Sequence, residues 1–254
     1  MAVHEAAEGF DDRATVAAYE RGRPAFPAEL RPLLTAELGI GPGRLALDLG
    51  AGTGMMTALL LETGATPIAV EPLAEMRKQL TAKLPVEVLS GSAEAIPLDD
   101  ESVDAAVVAQ AFHWFDGPRA LGELHRVLRP SSALALIWNR RDQTQEQQAA
   151  LTEIVEPHRG RAPSHLRGQW RNAFEETQLF EATGEAHLPF EHIVDREGYV
   201  ARGLSISFIG PLPDDERKSV EGRLHTVAAS QPESFPLRYI CDCYFYRRLR
   251  RADG

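Results

Sequence analysis

Cysteine, long apolar runs and positive charge are all in short supply in this 254-residue chain. Cys241 and Cys243 are the only thiols, two apart in an apparent strand. That spacing puts them on one strand face, so they read as reduced thiols rather than a metal or redox pair, and no metal site is expected. No apolar stretch approaches the length of a membrane span, and Met1–Asp12 is acidic without a signal-peptide pattern. Membrane insertion is therefore not expected, and a cytoplasmic location is the default. With 27 Lys and Arg against 37 Asp and Glu, the net charge is −10 and the pI about 5.3. That balance argues against a nucleic-acid partner, which needs a cationic footprint. The basic tail Arg247–Arg251 reads as a solvated end. There is no internal repeat, and the only low-complexity tract is the short Gln145–Gln148 run. What remains is a chain with 44% hydrophobic residues, enough to bury one enlarged domain.

The most informative stretch is Leu45-Ala46-Leu47-Asp48-Leu49-Gly50-Ala51-Gly52-Thr53-Gly54. An apolar strand interrupted by one carboxylate runs into a turn with glycine at every second position, and a helix, Met55–Thr63, follows at once. A buried parallel strand leading through glycines to a helix builds a nucleotide-type pocket. Glycine lets the backbone approach a ligand and take turns that a Cβ blocks. The dinucleotide fingerprint G-x-G-x-x-G does not fit, because the third position is Met55 counted from Gly50 and Thr57 counted from Gly52. A nicotinamide-dependent oxidoreductase is the weaker reading for that reason.

Further along, Thr66–Val70 reads as a second strand with Glu71-Pro72 at its carboxyl end, about twenty residues beyond the glycines, where an acid can reach a ribose. Leu73–Leu84 reads as a helix, Pro85–Leu89 as a third strand and Val103–Ala109 as a fourth, ending in Gln110-Ala111-Phe112-His113-Trp114. Pro118–Leu128 is the next expected helix, and Ala133–Trp138 the fifth strand.

The alternating Gly50, Gly52 and Gly54 behind Asp48 resemble motif I of the class I S-adenosylmethionine (SAM)-dependent methyltransferases. Ser90–Pro97 resembles that family's third binding segment, with Ser92 where relatives often carry Asp. Glu123 to Ser132 is close to its E-x-x-R-V-L-(K/R)-P-G-G run, with Ser131-Ser132 in place of the glycine pair. Tyr19 to Pro27 resembles the N-terminal cap of one subgroup, and Ala111-Phe112-His113-Trp114 matches a segment of ubiquinone-pathway-like and trans-aconitate-methyltransferase-like members. The resemblance runs from Phe10 to about Asn139.

It implies an α/β fold: a Rossmann-like, seven-stranded, mostly parallel sheet with helices on both faces, an antiparallel last strand and helical lid insertions. Residues 1–254 are expected as one domain, with a helical cap at 1–40, a SAM-binding core at 41–139, and lid insertions at 143–169 and 195–236. Glu185–Val194 and Leu237–Tyr246 are the expected closing strands. The implied cofactor is SAM, with S-adenosylhomocysteine (SAH) as product. Its expected ligands are Tyr19, Arg23, Asp48, Gly50, Ala51, Gly52, Gly54, Glu71, Pro72, Met76, Ser92, Ala93, Glu94 and Gln110. His113 is the candidate catalytic base or substrate anchor, since imidazole titrates near neutrality. Phe112, Trp114 and Arg140 are candidates for the acceptor pocket, with Arg141 beside them. The expected partner is a small-molecule methyl acceptor, and the protein a monomer or homodimer. A SAM-fold protein that uses the cavity for rearrangement, cyclisation or regulation is the alternative.

Overall fold

The computed structural model describes residues 22–250. Tyr19 and most of the expected N-terminal cap lie outside them. Seven strands form one sheet in the order β3-β2-β1-β4-β5-β7-β6. Strands β1 (Leu45–Leu49), β2 (Thr66–Val70), β3 (Glu87–Leu89), β4 (Val103–Ala109) and β5 (Leu128–Arg141) run parallel, while β7 (Ser234–Arg248) lies antiparallel between β5 and β6 (Phe180–Asp195). Chain order reverses between β1 and β4, and in such sheets ligands bind at the carboxyl ends of the strands flanking that reversal.

Side-chain alternation divides the core. On β4 and β5, Ala106, Val108, Leu134, Leu136 and Trp138 pack toward helix α4 (Gly117–Val127), with Leu121 and Leu124. Their neighbours Ala105, Val107, Ala135 and Ile137 face the other way, onto α1 (Leu30–Leu38) and α2 (Met55–Glu62) through Leu34, Met56 and Leu60. A parallel strand buried on both faces is apolar over its buried length, which is why β4 is legible as a run broken only by Asp104 near its start. Cys241 and Cys243 share the α1 side as buried free thiols, with sulfurs 3.8 Å apart.

Helix α3 (Ala74–Lys83) follows β2. The Glu123–Arg126 motif forms a structural clamp. Arg126 Nε and Nη2 donate to the two oxygens of Glu123 at 2.8 and 2.7 Å, and its nitrogens also donate to the carbonyls of Leu98 (2.7 Å) and Ile96 (2.9 Å). Glu123 in turn accepts the Ile96 N–H at 2.9 Å. This fork fixes the loop carrying Ser92–Glu94 against α4.

Three strands exceed their expected bounds. β5 reaches Arg141, three residues past the expected Trp138, because β7 supplies ladder partners as far as the pair Arg141–Tyr239 after β4 has ended at Ala109. The β6–β7 hairpin extends further, to the pair Asp195–Ser234. Its outer end carries α5 (Glu146–Val155), α7 (Arg196–Leu204) and α8 (Asp214–Ala229), whose Leu151, Tyr199, Val220 and Leu224 form a second core with Phe235, Leu237 and Tyr239. Where a single helix Trp170–Phe180 is expected, a 3₁₀ turn and the short α6 (Asn172–Thr177) stand instead, ended by Gln178 at φ 50°.

Candidate active site

The bend after β1 is stitched to β2, with the Gly50 and Ala51 N–H groups donating to the Val70 carbonyl at 2.8 and 3.2 Å. Gly50, Gly52 and Gly54 have φ of 73°, 57° and 91°, a region that a Cβ penalises. A Cβ on Gly52 would meet nothing within 4 Å, so this glycine is required by its backbone angle and leaves the cavity floor open. Gly54 is different. Its Cβ would lie 2.8 Å from Leu80 Cγ, so this expected ligand residue instead packs α2 against α3 and does not line the cavity.

Glu71 closes the bend from the tip of β2. Its Oε2 accepts the Gly52 N–H at 2.8 Å and its Oε1 the Leu73 N–H at 2.9 Å. Asp48, fully buried at the end of β1, accepts the Thr57 hydroxyl on Oδ2 at 2.5 Å, while its Oδ1 has no partner. Burial, aided by the nearby Glu71 charge and opposed by Thr57, pushes the Asp48 carboxyl up to about 7. A buried carboxylate oxygen with no donor is costly in isolation and suits a cationic ligand group.

Two adjoining cavities meet here. The larger, of about 250 Å³, takes in Gly50, Gly52, Glu71, Pro72, Met76, Ser92, Ala93, Glu94 and Gln110 at one end. The smaller brings together Asp48, Ala51 and Gln110, and both are bordered by Arg23, Gly50, Gly52, Asn139 and Arg202. The expected binding residues within the described chain thus converge, Gly54 excepted. Gln110 sits at φ 60°, a left-handed conformation held at the carboxyl end of β4 by its N–H bond to the Ile137 carbonyl at 2.8 Å. Glu94 is also tied structurally, accepting the Asp116 N–H at 3.0 Å.

The far end of the larger cavity holds His113, Trp114 and the arginines. Phe112, expected on its wall, is 1% exposed and lies in an aromatic cluster with Phe115, Trp170 and Phe174. The 3₁₀ turn Phe112–Trp114 points Phe112 inward, so it belongs to the core. The Trp138 indole donates to His113 Nδ1 at 3.1 Å. By hydrogen-bond logic the neutral ring then carries its proton on Nε2, which makes it a donor. Arg140 borders the cavity, but its Nε donates to Asp242 Oδ2 at 2.7 Å, and Asp242 also meets His187 Nδ1 at 2.7 Å. This expected acceptor ligand is therefore already paired.

Sequence reasoning missed Arg202 and His165. Arg202, 6% exposed, stands three residues after the buried Tyr199 on α7, a charged residue on an apolar stripe. His165 stacks on Trp138 at 5.3 Å and 6°, and burial pushes its pKa down to about 4. Among the described residues no cluster of His, Cys, Asp or Glu fits a metal, and no helix is long and apolar enough to cross a membrane.

A three-glycine bend, acids at the tips of β1 and β2, and this strand order define the class of Rossmann-like methyltransferase folds. Residues 47–136 match the methyltransferase domain family. An uncharacterized methyltransferase-like protein of Schizosaccharomyces pombe is 36% identical over 236 residues, covering 90% of each chain. An uncharacterized methyltransferase of Mycobacterium tuberculosis is 50% identical over 141 residues, 55% of this chain and 56% of that one. Among solved structures, a proposed type II methyltransferase of Anaeromyxobacter dehalogenans superposes with a TM-score of 0.64 at 25% identity, covering 89% of this chain and 97% of that one. The chain belongs to the methyltransferase family.

Proposed function

We propose that the protein is a SAM-dependent methyltransferase acting on a small-molecule acceptor and releasing SAH. The observation that carries this is the unpartnered, fully buried Asp48 Oδ1 beneath a glycine bend that Glu71 clasps from the next strand. An amino-acid ammonium suits Asp48, and Arg23 at the same cavity is suited to the accompanying carboxylate. Glu71, an acid at the tip of β2 on the cavity lining, would accept the ribose hydroxyls. Ala93, Glu94 and Met76 line the cavity as candidates for the adenine edge and face, and Ser92 contributes a weaker acceptor than a carboxylate would. The bound sulfonium makes its methyl electrophilic, so the protein's main task is alignment of the acceptor.

His113 acts in this reading as a hydrogen-bond donor that positions the acceptor. Its Nδ1 lone pair is engaged by the Trp138 indole, so the neutral ring offers an N–H rather than a base.

Calorimetric titration with SAM and SAH tests the assignment. Binding is expected, and Glu71→Ala should weaken it by about tenfold or more, since hydrogen bonds to a charged group contribute about 1.5–3 kcal/mol. Absence of binding to either compound would remove the proposal, and unchanged affinity in Glu71→Ala would remove the ribose assignment.

A further inference from the structure

The acceptor end of the larger cavity is more cationic than methyl transfer alone requires. Four arginines border it on that side: Arg140, Arg141, Arg159 and Arg202. Two are neutralised within the fold, Arg140 by Asp242 at 2.7 Å and Arg159 by Glu156 at 2.6 and 2.9 Å. The other two meet no carboxylate among the described residues. Arg141, at the end of β5, donates through Nε to the Thr152 hydroxyl at 3.1 Å, and its two terminal nitrogens have no partner there. Arg202 donates through Nε to the Tyr239 hydroxyl at 3.2 Å and through Nη1 to Ser205 at 3.3 Å, leaving Nη2. Tyr239 is the ladder partner of Arg141, so both guanidiniums gather around one side chain.

Two neighbouring cations without a counter-charge, one of them almost fully buried, are costly to fold. Neutral acceptors would not offset that cost. A planar guanidinium presents paired N–H donors whose spacing matches the oxygens of a carboxylate or phosphate. Building on the methyltransferase reading, we propose that the acceptor carries an oxyanion, a carboxylate or a phosphate group, seated on Arg141 and Arg202. Arg202 borders both cavities, whereas Arg141 belongs to the larger one alone, so Arg141 separates this anion from the cofactor's own carboxylate. The electrostatics agree: burial first, then Arg202 and Arg159, outweigh Tyr239 and Glu156 and push Arg141 down to about 10. Arg141 stays charged at neutral pH, and a bound oxyanion would relieve that destabilisation.

The test uses the full chain saturated with SAH, titrated calorimetrically with succinate, citrate, benzoate, inorganic phosphate and phenyl phosphate. Succinamide and benzamide serve as neutral controls. At least one oxyanion should bind at least tenfold tighter than its neutral control, and the carboxylate and phosphate arms distinguish the two sources. Arg141→Gln should weaken that binding at least tenfold while the Kd for SAH stays within twofold, and Arg141→Lys should recover only part of the loss. Arg202→Gln should show a similar loss of anion binding. If that variant does not fold, the Arg141 pair decides the matter. A protein that binds SAH but no oxyanion, or whose amide controls bind equally, or whose Arg141→Gln variant binds the anion unchanged, would overturn the inference and leave the methyltransferase assignment standing. Failure to bind SAH at all would bring down both.

Discussion

Replacing Asp48 with Asn should make the protein more stable at pH 8 and worse at holding its cofactor. In the fold the carboxyl is fully buried, accepts one hydroxyl from Thr57, and has one oxygen with no partner. Burial raises its pKa from 3.8 to about 7. The folded state therefore holds this proton more tightly than the unfolded state, and stability falls as pH rises between about 4 and 7. Above that window the full cost is present, and below it none. At about 1.4 kcal/mol per unit, a shift of roughly three units is worth on the order of 4 kcal/mol. An Asn amide leaves one polar group imperfectly matched, which takes back about 1–3 kcal/mol. The net gain expected at pH 8 is about 1–3 kcal/mol, or roughly 2–12 °C in Tm at about 2–4 °C per kcal/mol for a chain this size. At pH 4, where the carboxyl keeps its proton in the fold, only the amide mismatch remains, and the variant should be less stable than the parent by about 1–3 kcal/mol. Thermal denaturation of both at pH 4, 6 and 8 reads the effect, and SAH titration reads the loss of affinity. A variant no more stable at pH 8, with the parent's slope between pH 4 and 7, would refute the reasoning.

Two further positions, one near the start of β5 and one at the acceptor end, are tested by substitution. Ser131 is exposed and held at φ 64°, so Ser131→Gly should stabilise by about 0.5–1 kcal/mol and raise Tm by about 1–4 °C. An unchanged or lower Tm would show that the left-handed angle carries no cost. His113→Gln keeps an acceptor and a donor, so once the acceptor is identified it should retain activity within about tenfold while His113→Ala loses more. Equal losses of about 10²–10⁴-fold in both variants would instead identify His113 as a general base.

The sequence disclosed the half of the site that local chemistry specifies. The glycine bend, Asp48 and Glu71 were readable because a backbone angle and a strand tip each demand a residue type within about twenty-five positions. β4 was read to the residue, Val103–Ala109, since burial on both faces leaves a run that is apolar but for Asp104 near its start. The acceptor end was hidden because it is assembled over long distances. Asn139–Arg141 look like a loop in sequence and become strand only because β7 arrives from a hundred residues away to pair with them. Arg140 and Arg141 are indistinguishable as neighbours in the sequence. Asp242 neutralises one, while α7 sets Arg202 beside the other, and neither event has a local signature. Phe112 shows the converse error. Its motif is part of the site, but the 3₁₀ turn directs that ring into the core and leaves His113 and Trp114 on the cavity.

The uncompensated charges of the cavity are of opposite sign and do not neutralise each other, and the sheet explains why. Asp48 stands at the tip of β1 and Arg141 at the tip of β5, with β4 between them. Two strand spacings are about 10 Å across, and β5 carries Arg141 further out by running past the end of β4. Asp48 borders the smaller cavity and Arg141 the larger, so the fold sets the buried carboxylate and this guanidinium on different cavities, with Arg202 bordering both. A single dipolar ligand group could satisfy one end only. Under the proposed function two ligands would be held at once, one bringing a cation to Asp48 and the other an anion to Arg141, near the carboxyl edge of β4 where Gln110 holds its left-handed angle. Transfer between two bound molecules at a strand-order reversal is the chemistry that such a division of charge would serve in that reading.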